Sequence, residues 1–150
     1  PEAQLDRFLM RLPRGYPAPA AEKALLLGEA RRGLLPRLQP LLEHRELALI
    51  QAEIPKVRVS DALVDYLLRL VEATRSQPQF AWGLSPRASL ALLAAAKAWA
   101  FLAGRDYVIP EDIQAVLPSV VGHRLREQAD PAGHGGGALV QWLLREVSAL

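Results

Sequence analysis

The sequence contains no cysteine. That excludes a disulfide framework, a thiolate nucleophile and any cysteine-ligated zinc or iron–sulfur centre. Histidine is scarce. His44, His123 and His134 stand far apart and follow no ligand spacing, so no metal site is expected. Long apolar runs are missing as well. The longest candidate, residues 90–103, falls short of the roughly 18 residues of a membrane span and carries Lys97 in its middle. The opening residues show no basic stretch leading into an apolar one, so no leader is read there and a cytoplasmic location is expected. Charge of one sign is not in excess: 18 Lys+Arg against 16 Asp+Glu leave +2. The pI near 9.3 reflects 15 arginines against three lysines, but no basic run is longer than Arg31-Arg32. Dispersed arginines read as solvated helix faces rather than a nucleic-acid groove.

Catalytic signatures are absent too. No G-x-x-x-x-G-K-[ST] loop occurs, and no lysine follows a glycine anywhere. No G-x-G-x-x-G joins a strand to a helix, and neither G-x-S-x-G nor H-E-x-x-H is present. A free-standing catalyst is not expected.

What is present is a globular composition, with 51% apolar and 23% charged residues over 150 positions. That is enough for one domain with a sizeable core, or one domain and an appendage. Residues 2–7 read as a short helical turn and residues 8–12 as a strand ended by Pro13. Pro13 to Pro19 form a connector. Helices are then expected over 20–32, stopping at Gly33, and over 44–53, with Leu47, Leu49 and Ile50 available for burial. Ser60 is an N-cap opening a helix with a stripe of Leu63, Val64, Leu67, Leu68 and Val71, and with Asp65 and Arg69 as an i,i+4 pair.

Ser85-Pro86 is the clearest helix start in the chain, a serine N-cap with proline at the first helical position. The helix should run to about residue 103 and stop at Gly104. It is apolar nearly all round, so it is expected at the centre of the bundle. Its alanines would permit close approach, with Leu90, Leu92, Leu93, Trp99 and Phe101 supplying bulk. Pro110-Glu111-Asp112 opens a further helix through Leu117. Residues 120–125 could be extended, residues 130–137 read as a flexible glycine-rich loop, and residues 138–150 as an amphipathic helix. The expected fold is all-α, a bundle of five or six helices preceded by a short helix–strand piece. The expected segments are 1–13, 20–125 and 126–150.

Arg87 breaks a local rule. It stands in the first turn of the Ser85 helix, where the macrodipole disfavours a cation by up to about 1 kcal/mol. Such a placement suits an anion held jointly by the guanidinium and the helix N-terminus, although a plain solvent-exposed arginine would look the same. Arg7, between Asp6 and Phe8, reads on its own as half of a surface Asp–Arg neighbour pair.

Three motifs in order carry a resemblance. Pro1-Glu2-Ala3-Gln4-Leu5-Asp6-Arg7-Phe8 resembles the arginine-finger box of MoxR-family AAA+ ATPases. Gly83-Leu84-Ser85-Pro86-Arg87-Ala88 resembles that family's sensor 2 motif. Gly104-Arg105-Asp106-Tyr107-Val108, followed by Pro110-Glu111-Asp112, resembles the segment after the sensor 2 helix. With weaker motifs at Pro55-Lys56-Val57 and Val59-Ser60, the similarity covers roughly residues 1–125. Ile109 departs from the family pattern, which often has a capping Ser or Thr there.

The resemblance implies a bundle of the AAA+ lid type behind a remnant of the ATPase core. It implies that Arg7 reaches the γ-phosphate of ATP in a neighbouring subunit. Arg87, held by Ser85 and Pro86, would contact the γ-phosphate in its own subunit. ATP and Mg²⁺ would be bound by the whole protein, whose Walker A, Walker B and sensor 1 segments are expected before Pro1. No tight nucleotide binding and no activity are expected of the chain alone. The implied partners are the core domain, neighbouring subunits in a hexamer and a von Willebrand factor A-type protein, with chaperone-like remodelling as the task. A non-catalytic helical protein-interaction module is the alternative.

Overall fold

The structure, a computed structural model, describes residues 2–27, 38–130 and 136–149. The expected stop at Gly33, the end of the 20–32 helix and Gly133 and Gly135 of the glycine-rich loop lie outside them. The chain divides into two compact units, one of Pro1–Arg11 with Gln51–Leu150 and one of Leu12–Ile50. Residues 1–11 and the C-terminal helix both join the unit that holds the bundle.

In the Leu12–Ile50 unit, α2 (Pro19–Leu26) starts with proline in its first turn. α3 (His44–Glu53) begins in this unit, where the Glu46 carboxylate accepts the Glu43 N–H at 2.8 Å, and its last three residues belong to the other unit. Neither helix buries a residue. Leu47 and Leu49, expected to be buried, are 43% and 62% exposed.

The larger unit contains α1 (Glu2–Leu5), a 3₁₀ turn (Ile54–Lys56), α4 (Asp61–Ser76), α5 (Pro86–Leu102), α6 (Pro110–Val121) and α7 (Gly136–Glu146). The described residues form an all-helical bundle. Their only β pairings are isolated bridges, such as Arg58 to Tyr107. The strand expected over 8–12 is therefore corrected. That segment finds no ladder partner, and its backbone instead docks by the Arg11 N–H onto the Ser119 carbonyl at 2.8 Å.

Ser60 caps α4 through its hydroxyl, which accepts the Leu63 N–H. The buried stripe is Leu63, Tyr66, Leu67, Leu70, Val71 and Thr74, while Val64 and Leu68 stay exposed. The stripe is rotated from expectation because Tyr66 turns inward, its hydroxyl satisfied by Gln114 at 3.2 Å. Arg69 does not form the expected pair with Asp65. It donates to the carbonyls of Ser148 and Ala149.

α5 is central, packed against α4, α6 and the 3₁₀ turn. Its buried residues are Ala88, Leu92, Ala95, Ala96 and Ala100. Of the expected bulk, Leu92 is buried and Leu93 and Phe101 are partly buried against the core, while Leu90 is 70% and Trp99 50% exposed. Small residues let neighbouring backbones approach, so the enclosed face is mostly alanine with Leu92 among them, and Leu90 and Trp99 turn away. Lys97 donates to the Pro55 carbonyl at 2.8 Å. The helix ends at Gly104, whose φ of +74° is left-handed. The Gly104 N–H reaches the Phe101 carbonyl and the Arg105 N–H the Ala100 carbonyl, a Schellman stop.

α6 lacks a capping hydroxyl, because Ile109 offers none. Asp112 compensates by accepting the Ile109 N–H at 2.9 Å. The helix continues past the expected end at Leu117, through Pro118 to Val121, so Val120 is helical rather than extended. Proline removes one N–H from the ladder, but Val116, Leu117, Val120 and Val121 are all buried, and that packing holds the last turn. Gly136 and Gly137, expected in the flexible loop, instead open α7. A Cβ on Gly136 would lie 1.9 Å from the Gly122 carbonyl oxygen, so α7 starts at a backbone contact only glycine allows.

Candidate functional site

The region around Ser85 gathers residues from both ends of the bundle unit. It is built first from α4. The Thr74 hydroxyl accepts the Leu84 N–H at 3.0 Å, and Arg75 forks onto the Leu84 carbonyl from Nε at 3.1 Å and a terminal nitrogen at 2.9 Å. Both backbone polar groups of Leu84 are thus fixed just before the α5 cap. The stem of Arg75 passes so close to Gly83 that a Cβ there would lie 2.4 Å from the Arg75 Cγ. Glycine at 83 is therefore a packing requirement of this clamp.

Ser85 has two roles. Its Oγ accepts the Ala88 N–H at 3.2 Å, the N-cap bond, and donates to the Asp6 carboxylate at 3.1 and 3.2 Å. Pro86 follows at the first helical position. Asp6 also receives Arg124 Nε at 3.0 Å. Arg124 is nearly enclosed, its side chain 4% exposed. Its terminal nitrogens donate to the carbonyls of Asp6 at 3.1 Å, Phe8 at 2.6 Å and Leu9 at 3.2 Å, and to that of Val120. Beside it, buried His123 places Nε2 3.3 Å from the Phe8 carbonyl, while Nδ1 has no hydrogen-bond partner among the described residues. Burial pushes the His123 pKa below its usual value, and the Arg124 charge adds to that. The carbonyls of Phe8 and Ser119 act in the opposite sense.

Together Leu5, Asp6, Trp82, Ser85, His123 and Arg124 line a cleft of about 200 Å³. Arg7 and Arg87 are both exposed at its margins in sequence, one residue after Asp6 and two after Ser85. Among the described residues neither guanidinium has a hydrogen bond or ion pair. The neighbour pair read for Asp6 and Arg7 is not formed, because Asp6 is committed to Ser85 and Arg124. No group of three His, Cys, Asp or Glu side chains among the described residues is arranged to hold a metal. No described helix is long and apolar enough to cross a membrane.

Sequence reasoning gave roles to Arg7, Ser85, Pro86 and Arg87; Asp6 and Gly83 stood in the quoted motifs without one, and Thr74, Arg75 and Arg124 were given none. Only Gly83, two residues before a strong N-cap, carried a local signal. The Asp6–Arg124 contact joins residues 118 apart in sequence.

The family model of the AAA lid domain matches residues 72–141. The chain is 42% identical over 135 residues to the chaperone MoxR1 of Mycobacterium tuberculosis, covering 83% of this chain and 35% of that protein. It is 33% identical over 144 residues to the protein MoxR of Paracoccus denitrificans, covering 83% of this chain and 42% of that one. A crystal structure from Cytophaga hutchinsonii, provisionally assigned as an ATPase, superposes with a TM-score of 0.83 at 31% identity, over 99% of this chain and 48% of that one.

The chain belongs to the MoxR family of AAA+ ATPases. It carries the family's lid portion and spans less than half the length of these relatives. The matched lid segment runs from the last turn of α4 into α7, so it includes the Leu84 clamp, the α5 cap and Arg124. In this MoxR-family lid, the N-terminal residues 6–9 are bonded directly onto matched lid residues.

Proposed function

We propose that this lid completes a site for ATP hydrolysis between subunits of the whole protein, with Arg7 and Arg87 supplying positive charge to the γ-phosphate. The observation that carries the reading is the Asp6–Ser85 hydrogen bond. It joins the two segments whose guanidinium groups have no partner among the described residues. Phosphoryl transfer needs little covalent chemistry from the protein, and charge placed on the γ-phosphoryl oxygens dominates the rate. Guanidinium suits this role because it is always charged and forks onto phosphate oxygens. Ser85 and Pro86 support the site by fixing the start of α5, so that Arg87 projects from a helix N-terminus, a favourable place for an anion. Mg²⁺ bound with the nucleotide would offset charge on the phosphate oxygens. Its ligands, like the phosphate-cradling loop, are expected elsewhere in the whole protein, and the chain alone is expected to be inactive.

The resemblance assigns Arg7 to a neighbouring subunit's nucleotide and Arg87 to its own. The Asp6–Ser85 bond fastens the segment that bears Arg7 to the cap of the helix that bears Arg87, which would couple the two nucleotides so served. Oligomeric assembly follows from this reading, with the hexamer as the proposed form. Chaperone-like remodelling, a von Willebrand factor A-type partner and a cytoplasmic setting complete the proposal; the M. tuberculosis relative is named a chaperone.

Subunit mixing of the whole protein tests it. Arg7→Ala should lower kcat by about 10³-fold or more, with nucleotide affinity nearly unchanged. Arg87→Ala should also lose turnover. Adding subunits that have a disabled nucleotide site but intact arginines should restore activity to Arg7→Ala and not to Arg87→Ala. Rescue of both would place Arg87 on the neighbour's nucleotide. Normal turnover in both variants would favour the alternative, a non-catalytic helical interaction module.

A further inference from the structure

We propose that Arg124 is a positioning residue for Arg7, gripping the backbone on both sides of it and, through Asp6, tying it to the Ser85 cap of the helix that carries Arg87. The inference rests on the reading of Arg7 given above and adds a residue and a coupling that this reading does not need.

The donor arithmetic is specific. A guanidinium offers five N–H groups. Those of Arg124 meet five acceptors: the Asp6 carboxylate and the carbonyls of Asp6, Phe8, Leu9 and Val120. Four of the five lie within residues 6–9, and the fifth anchors the grip to α6. A pair serving only to neutralise a buried charge would be satisfied by the Asp6 carboxylate. Here the backbone carbonyls before and after Arg7 are held as well, so the Arg7 main chain is fixed while its guanidinium stays free.

The other side of the joint is equally fixed. Leu84 is clamped at both backbone polar groups by Thr74 and Arg75, and Ser85 is held by its own cap bond. The Asp6 carboxylate bridges these two rigid pieces by accepting from Ser85 Oγ and Arg124 Nε at once. A displacement of the α5 N-terminus would therefore be passed to the segment bearing Arg7. Lysine at 124 could keep the charge but not the five-point grip, because an ammonium has three donors on a single nitrogen.

The test is a double-mutant cycle on steady-state ATP hydrolysis by the whole protein. Arg124→Lys should lower kcat by roughly 10- to 100-fold, the scale of a misplaced charge, and leave KM for ATP within about two-fold. In an Arg7→Ala background it should cause no further loss, because the residue it positions is gone. Asp6→Asn, which keeps the side-chain volume, should behave the same way and carries the test if Arg124→Lys does not fold. A loss of equal factor with and without Arg7 would overturn the positioning role, as would an unchanged kcat in Arg124→Lys. Wild-type turnover in Arg7→Ala itself would instead overturn the reading of Arg7 on which the coupling depends.

Discussion

At the scale of single residues, α5 shows how far composition can mislead about burial. Trp99 is the largest side chain on the central helix and would be the natural core anchor, yet it is half exposed, and Leu92 is fully enclosed. Truncating a buried leucine removes transfer energy and leaves a cavity, at a cost of roughly 2–5 kcal/mol. The Trp99 side chain keeps half its contact with water and leaves little cavity. Leu92→Ala should therefore destabilise the bundle more than Trp99→Ala, as urea unfolding of the two variants would show. The reverse order would mean that the large face of α5 is the buried one. Of the site residues, Ser85 was legible because an N-cap is a local signal. Its second bond, to Asp6, was not, because that contact spans 79 residues. Arg124 gave no signal for the same reason.

At the scale of elements, helix starts were readable and helix faces less so. Ser60 and Ser85 cap where their sequence context says they should. An all-apolar helix such as α5 has no preferred face in its sequence, and only the neighbouring helices decide which side is enclosed. α6 runs past its expected end at Leu117, through Pro118, where buried Val120 and Val121 hold the last turn. The start of α6 yields a pH prediction. Burial alone would raise the Asp112 pKa, but the Arg105 fork, the Ile109 N–H and the Arg105 charge outweigh it and hold the carboxyl below its ordinary value. A carboxyl lowered on folding adds stability that is fully present above the unfolded value, about 3.9, and is lost as pH falls through the folded value. The Tm advantage of wild type over Asp112→Asn should therefore be largest near neutral pH and shrink below about pH 4. An advantage that stays constant down to pH 2 would show that the ionised carboxylate is not its source.

At the scale of the whole molecule, the two units differ in how much they bury. In the unit of Pro1–Arg11 with Gln51–Leu150, most of the enclosed residues come from α4, α5, α6 and α7, with Leu70, Leu92, Ile113, Leu117 and Leu143 essentially without solvent contact. In the Leu12–Ile50 unit, neither α2 nor α3 buries a residue, and Leu25, Leu26 and Leu27 are more than half exposed. Helices this short are marginal in water without tertiary packing, because nucleation is costly and each added residue gains little. Local opening free energies follow buried apolar contact, so amides of α2 should open by local fluctuations while those of α5 and α6 should require near-global unfolding. Hydrogen exchange on this chain should accordingly show α2 amides exchanging within the earliest time points and Leu92, Ile113 and Leu117 among the slowest. Limited proteolysis should cut first within residues 12–50. Protection of α2 equal to that of α5 would mean that exposure in the folded chain does not set the stability of this unit, and that α2 and the bundle open as one.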